Sequence, residues 1–283
     1  MFMQIENQLN PNHQAKVSVL IPIGYMQPTL DSCNYSSNNL FSFLKNCLPT
    51  EVITDAFRKY NVGNFNFWKG ATAYWLVNEQ DNITHCKLTL HNRHSGKVVG
   101  PGNTVEVYNP ELKFFEFVTA EKYCAFLYND FDEFTNKLKL NACFFGSHLI
   151  NKTHKQPVLL VENESSALIG SIFIPSLTWI AVGSAKFDSV TNLKIFKNKE
   201  VFVLPNYGGF SKQLSKINVW SKKIKEVQQL LPTCKIKILD ILESALSKRK
   251  RMNQTPGEML LLKNKLLIEG FERKGFTVKT FEK

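Results

Sequence analysis

From Asn38 onward apolar residues recur at helical spacing: Leu40, Phe43, Leu44, Cys47 and Leu48 share one face, and after a break at Pro49–Thr50, Val52, Ile53, Phe57 and Tyr60 share another. The spacing predicts a helical hairpin closing near Gly63, with Pro49 ending the first helix and Thr50 capping the second. Between Lys69 and Val99 the period drops to two. Thr72–Val77 and Thr84–Leu90 flank the polar tip Asn78–Asn82, a second turn falls at Ser95–Gly96, and a β-hairpin or meander is expected. Phe114–Phe145 is aromatic and mixed, with a helix expected near Asp130–Lys139. Residues 1–37 hold one strand-like run, Val17–Ile23, interrupted by Pro22 and followed by Pro28, and read as an extended arm.

The second half has a different rhythm. Pro157–Val161 is apolar throughout and ends at Glu162; a helix over Ser165–Phe173 is stopped by Pro175; Thr178–Val182 is apolar up to Gly183–Ser184. Val201–Leu204 then ends at Pro205–Asn206, a helix follows over about Ser211–Leu230, and a last strand, Lys235–Leu239, ends at Asp240. Strands apolar on both faces, alternating with helices, predict a parallel sheet covered on both sides. The expected fold class is therefore α/β, with a smaller α+β subdomain ahead of the parallel sheet. The divisions are an arm over 1–37, an α+β subdomain over 38–150, the sheet domain over 151–242 and a basic helical segment over 243–283. That segment includes a helix expected over Glu258–Gly270.

Composition narrows the class. With 283 residues, 43% hydrophobic and 21% charged, the chain can bury a core and is not of the disordered, collagenous or disulfide-scaffold kind. No apolar run approaches the ~18 residues of a membrane span. Met1 to Asn12 has no cationic stretch leading into an apolar one, so a cytoplasmic protein is expected. The six cysteines form no C-x-x-C pair, and no zinc is expected. The net charge of +11 is uneven: from Asn206 to Lys283 there are 17 Lys/Arg against 7 Asp/Glu, leaving 18 against 17 before it. Such a segment fits a polyanion binder, because each neutralised phosphate releases counterions, and it equally fits a solvated Lys-rich surface. Within it, Lys248, Arg249, Lys250 and Arg251 form the densest run and the best candidate for tracking phosphates.

In open parallel sheets functional groups gather beyond the carboxyl ends of the strands, which here carry Glu162, Gly183, Asn206 and Asp240. The stretches VLLVENESSAL, IAVGSA and VFVLPNYGGF resemble, in order and spacing, the Toprim domain of bacterial primases and topoisomerases: a strand ending in Glu, one ending in Gly and one ending in an Asp-x-Asp pair. Upstream, ATAYWLVNEQDNITHCKLTLHNR and CFFGSHLI stand where bacterial replicative primases carry a two-stranded element and an aromatic-Gly segment. The helical hairpin, W-x-G-A-T (Trp68, Gly70, Ala71, Thr72) and F-G-x-H-L (Phe145, Gly146, His148, Leu149) resemble a primase-like Toprim family of bacterial mobile elements over roughly residues 38–242.

The resemblance implies that Glu162 is the general acid or base and that an acidic pair on the third strand holds Mg²⁺. Asn206 and Gly208 stand at the positions of that pair, and Ser166 replaces a further acidic position. Magnesium requires hard oxygen ligands, usually carboxylates, so a weak site built on Glu162, Asn206 and Asp240, or on Glu164, is what remains. The expected function is a Toprim-like, primase-related protein acting on single-stranded DNA or RNA in replication of a mobile element, with weakened or lost metal-dependent catalysis. Nucleotides and a replicative helicase are the further partners implied. An active DNA primase and a non-catalytic interaction protein with a basic tail are the alternatives.

Four further groups bear on this. Arg93 and Lys87 on the expected hairpin are candidates for contacting nucleic acid or a triphosphate, against plain surface cations. His148 reads as a structural donor, and His85, His91 and His94 as surface residues without zinc spacing. Trp68, Trp75, Tyr74, Phe65 and Phe67 lie near Arg58, Lys59 and Lys69, a composition suited to base stacking or to a core.

Overall fold

Two adjacent asparagines organise the N-terminal part of the molecule. The computed structural model describes residues 20–65, 68–100, 102–109, 111–119, 143–153, 155–183, 193–206, 210–239, 241 and 255–281. Asn38 caps helix α1 (Asn39–Lys45), its side chain accepting from the Phe41 N–H. Its amide also donates to the carbonyls of Gly63 and Ala71, and Thr72 Oγ1 donates to its Oδ1 at 3.1 Å. Asn39 donates to the carbonyls of His91 and Glu106. Buried side-chain amides thus satisfy backbone groups from four separate segments. Helix α2 (Thr50–Lys59) follows, with Pro49 rather than Thr50 at its N-cap; proline's fixed φ and missing N–H suit a helix start.

Strands β1 (Val62–Phe65), β2 (Ala71–Val77) and β3 (Ile83–Leu90) form an antiparallel sheet in that order. The β2–β3 hairpin is where the alternation puts it. The first strand is an addition, since the Val-Gly-Asn-Phe run has no periodicity to reveal it. The W-x-G-A-T stretch is the turn into β2. Gly70 adopts φ 79°, and a Cβ there would lie 2.7 Å from Val107 Cγ2, so only glycine fits. Val107 belongs to a second hairpin of β4 (Thr104–Asn109) and β5 (Phe114–Thr119), lying in sequence that pattern alone leaves unassigned. The helix expected near Asp130–Lys139 lies outside the described residues. In place of an extended arm, residues 20–37 make a single bridge, Ile21 to Ile83, followed by helical turns at Ile23–Met26, Gln27–Leu30 and Ser32–Ser37. Pro22 and Pro28 lack the donors a strand requires and sit at or near the starts of those turns.

The second sheet is parallel and four-stranded. Strands β6 (Val158–Val161), β7 (Thr178–Ala181), β8 (Glu200–Val203) and β9 (Lys235–Ile238) lie in the order β7-β6-β8-β9. Helices α3 (Glu164–Phe173) and α4 (Phe210–Leu230) connect them, so the described fold is mixed α/β with a parallel sheet. One core cluster runs from Tyr35 through Tyr60, Tyr74, Phe145 and Trp179 to Phe271, joining the first sheet to the near face of the second. Another, with Trp220 and Val227 of α4, covers the opposite face. The F-G-x-H-L segment ties the two halves together. Phe145 exchanges both backbone hydrogen bonds with Ala181, at 3.2 and 3.0 Å, and Gly146, at φ 91°, passes so close that a Cβ there would lie 2.8 Å from the Trp179 carbonyl oxygen.

The C-terminal part departs from the single helix expected over Glu258–Gly270. Helix α5 (Pro256–Leu261) and helix α6 (Lys265–Arg273) are separated at Leu262–Asn264, where Lys263 has φ 48° and Asn264 caps α6 by accepting from the Leu267 N–H. Met259, Leu260, Leu267 and Phe271 are wholly buried in the main core. This segment is an amphipathic cover for the sheet domain. Its described cations, Lys263, Lys265, Arg273, Lys274 and Lys279, are exposed. Among the described residues, no helix is long and apolar enough to cross a membrane.

Candidate functional site at the carboxyl edge of the parallel sheet

The connection from β6 turns to one side to reach β7, and β8 then lies on the other, so the strand order reverses at β6. A crevice outside the carboxyl ends of β6 and β8 is the place where such sheets bind ligands. Glu162 follows β6 directly, and Asn206 stands three residues beyond β8. The two are brought into contact: the Asn206 backbone N–H donates to Glu162 Oε1 at 3.2 Å. Trp220, buried on α4, directs its indole N–H to the same oxygen at 3.4 Å. Nothing in the sequence points to Trp220, which is 58 residues away and has the signature of an ordinary core aromatic.

Glu164 faces a different way. As the first residue of α3 it gains from the helix dipole, and its carboxylate takes a 2.7 Å ion pair from Lys87 Nζ on β3. The Glu164 side chain is 10% exposed and that of Lys87 40%, so the pair spans the boundary between the two sheets at the edge of solvent. Lys87 is thus paired with a carboxylate while its side chain stays partly exposed. Ser166 is wholly buried, and its Oγ accepts from the Gly257 N–H at 3.2 Å, so α5 closes over this position. Helix α3 is capped by Asn163, whose side chain accepts from the Ser166 N–H at 2.9 Å.

The set of described groups does not fit a magnesium centre. Among the described residues Glu162 is the one carboxylate at the crevice, its Oε1 already accepts two donors, Glu164 is held by Lys87, and Asn206 brings a neutral amide. Asp240, Gly208 and the run Lys248–Arg251 lie outside the described residues.

The histidines resolve differently from one another. His91, expected on the surface, is buried because β3 ends beneath the 92–98 turn. Its Nδ1–H donates to the Gly96 carbonyl at 2.9 Å, leaving Nε2 to accept from the Tyr74 hydroxyl at 3.1 Å. Burial pushes its pKa down to about 4, with Lys87 adding to the effect, while burial and the Glu164 charge push the Tyr74 hydroxyl well up. His148 is a structural donor: its Nε2 lies 2.9 Å from the Lys59 carbonyl at the end of α2. Burial lowers its pKa as well. His94 is exposed beside Glu106. Of the aromatic group, Trp75, Tyr74 and Phe65 are buried and serve the core. Phe67 lies outside the described residues.

An acid sensitivity follows. Unfolded histidine titrates near 6.5 and folded His91 near 4, so between these values the unfolded chain binds the extra proton. The contribution is complete above about pH 6.5 and is lost as pH falls toward 4, a difference of about 3 kcal/mol. Urea unfolding from pH 7.5 to 4.5 should show this decline, and His91→Gln should flatten it even though the variant starts less stable. A pH profile unchanged by the substitution would remove His91 as the cause.

Arg93 lies over the Phe115 ring, its guanidinium carbon 4.3 Å from the centroid. It therefore sits on the β4–β5 hairpin, away from the Lys87–Glu164 pair in partner and role.

Among protein families, one described as a domain of unknown function, DUF6371, matches residues 38–207. No curated protein matches the chain.

Proposed function

Because the chain belongs to the DUF6371 family, whose description carries no activity, we propose from its residues that it is a Toprim-like, primase-related protein that binds single-stranded nucleic acid and has weakened or lost metal-dependent catalysis. The observation that carries the reading is the pairing of Glu162 with Asn206 at adjacent ends of parallel strands, where an amide stands in place of an acid. Toprim chemistry needs carboxylates on both ends to share a cation. With a single one, Glu162 is left as a hydrogen-bonded acid at the crevice, and primer synthesis with Mg²⁺ is expected to be negligible. The charge excess after Asn206 supports retained binding to a polyanion. A replicative helicase and nucleotides are the partners this assignment implies for a mobile-element protein in the cytoplasm.

Binding is tested by fluorescence anisotropy of a labelled single-stranded oligonucleotide across a salt series. Affinity should fall with a log–log slope of about −0.7 for each phosphate neutralised, and alanine at Lys248, Arg249, Lys250 and Arg251 should reduce the slope by up to about 2.8. Substitution is the informative design, since removing the segment would also remove α5 and α6 from the core. No binding at low salt would defeat the proposal in favour of an interaction protein. Robust Mg²⁺-dependent primer synthesis abolished by Glu162→Gln would instead establish an active primase.

A further inference from the structure

The β4–β5 hairpin exposes aromatic side chains that the core does not use. Register pairs Glu106 with Phe117 and Tyr108 with Phe115, so Tyr108, Phe115 and Phe117 share its outer face. Phe117 is 76% exposed and Phe115 46%, while Val105 and Val107 on the opposite face are buried. The rings of Tyr108 and Phe115 lie 5.3 Å apart, and the Arg93 guanidinium is stacked over Phe115. Arg93 Nη1 is buried without a hydrogen-bond partner, a cost that a stacked cation does not remove. Lys97 and Lys113 are exposed in the turns at 92–98 and 111–113. Of the nearby carboxylates, Glu116 is taken by Lys69 and Asn109, Glu106 lies against His94, and Glu111 is exposed in the same turn as Lys113.

We infer that this hairpin face is a stacking platform for the unpaired bases of single-stranded nucleic acid, an inference that rests on the nucleic-acid reading above and adds to it a site separate from the crevice. A flat ring exposed on a strand offers a sequence-tolerant surface for a base, and a guanidinium plane offers a second one with donors for base or phosphate oxygen. Phe115 and Phe117 are two residues apart on one strand, about 6.7 Å, so successive bases seat on successive outward positions. Lys97 and Lys113 supply the charge that a phosphate backbone requires at such a surface.

The test uses the full chain and a labelled oligothymidylate, with a duplex of equal length as control. Phe117→Ala should weaken single-strand binding by about 5- to 150-fold, the range for losing one stacked base, and leave the salt slope unchanged. Phe117→Trp should preserve affinity. Lys113→Gln should flatten the slope by about 0.7. Duplex binding should respond to Lys113→Gln but not to Phe117→Ala. Because Phe117 is exposed, the substitution leaves folding intact, which circular dichroism verifies. If the unmodified protein does not bind the oligonucleotide, the nucleic-acid reading falls and this site with it. If it binds and Phe117→Ala binds equally well, only the hairpin platform falls. Unchanged oligonucleotide affinity with altered self-association in sedimentation would assign the patch to a contact between copies of this chain.

Discussion

Deleting residues 255–283 is expected to abolish cooperative folding. Met259, Leu260, Leu267 and Phe271 contribute fully buried side chains to the core that joins the two sheets. Removing large buried side chains costs about 2–5 kcal/mol each, and four such losses rival the entire stability of a typical domain, about 5–15 kcal/mol. The attachment is not only apolar: the Lys279 N–H donates to the Phe173 carbonyl at 2.7 Å, and the Gly257 N–H donates to Ser166 Oγ. The single substitution Phe271→Ala isolates the effect, with an expected cost of about 3–5 kcal/mol and a melting temperature lower by roughly 10 °C. A truncated protein that melts cooperatively at the original temperature would show that the C-terminal helices are dispensable to the core.

Restoring the acidic pair should create a divalent-cation site. In the double variant Asn206→Asp, Gly208→Asp, two acids follow β8, and the like charge at 206 beside Glu162 destabilises the protein without metal. Magnesium should reverse the loss. At 100 times its dissociation constant a bound cation adds about 2.7 kcal/mol, readable as a rise in melting temperature that the unmodified protein lacks. Adding Glu162→Gln to the double variant should cancel most of the rise. An equal response to Mg²⁺ in the unmodified protein would mean that its strand ends already hold the cation, and the reading of a weakened site would fail.

How far the sequence foretold the molecule depends on the kind of signal each element leaves. The four parallel strands and helices α3 and α4 were legible because buried strands read as unbroken apolar runs and Pro175, Gly183 and Pro205 mark their ends. Juxtaposing Glu162 with Asn206 needed only the rule that parallel strands present their carboxyl ends together. Strand β1 was not legible, since four residues including a glycine carry no period. The break between α5 and α6 was signalled by Asn264, but the leucines on either side kept the helical spacing continuous through it. Two contacts had no local signature at all: Lys87 with Glu164, 77 positions apart, and Trp220 with Glu162. The burial of His91 likewise depends on how the 92–98 turn folds back, which period-two spacing does not specify. In each case the missing information is tertiary, carried by which surfaces meet.

The packing of α5 against α3 also sets an order of events during synthesis. Tyr35, Trp179 and Phe271 belong to one core, so its first members leave the ribosome long before the residues that complete it. Until residues 255–281 emerge, the face of α3 that they cover, at Ser166, Ile169 and Phe173, remains open to water. The parallel pairing of β6 with both β7 and β8 is itself non-local and slow to form. A ribosome-bound chain therefore carries an exposed apolar surface from the synthesis of α3 until that of α5. Chaperone occupancy should be concentrated in that interval, and substitutions that weaken α6 should reduce the yield of soluble protein more than they reduce the stability of the molecules that do fold.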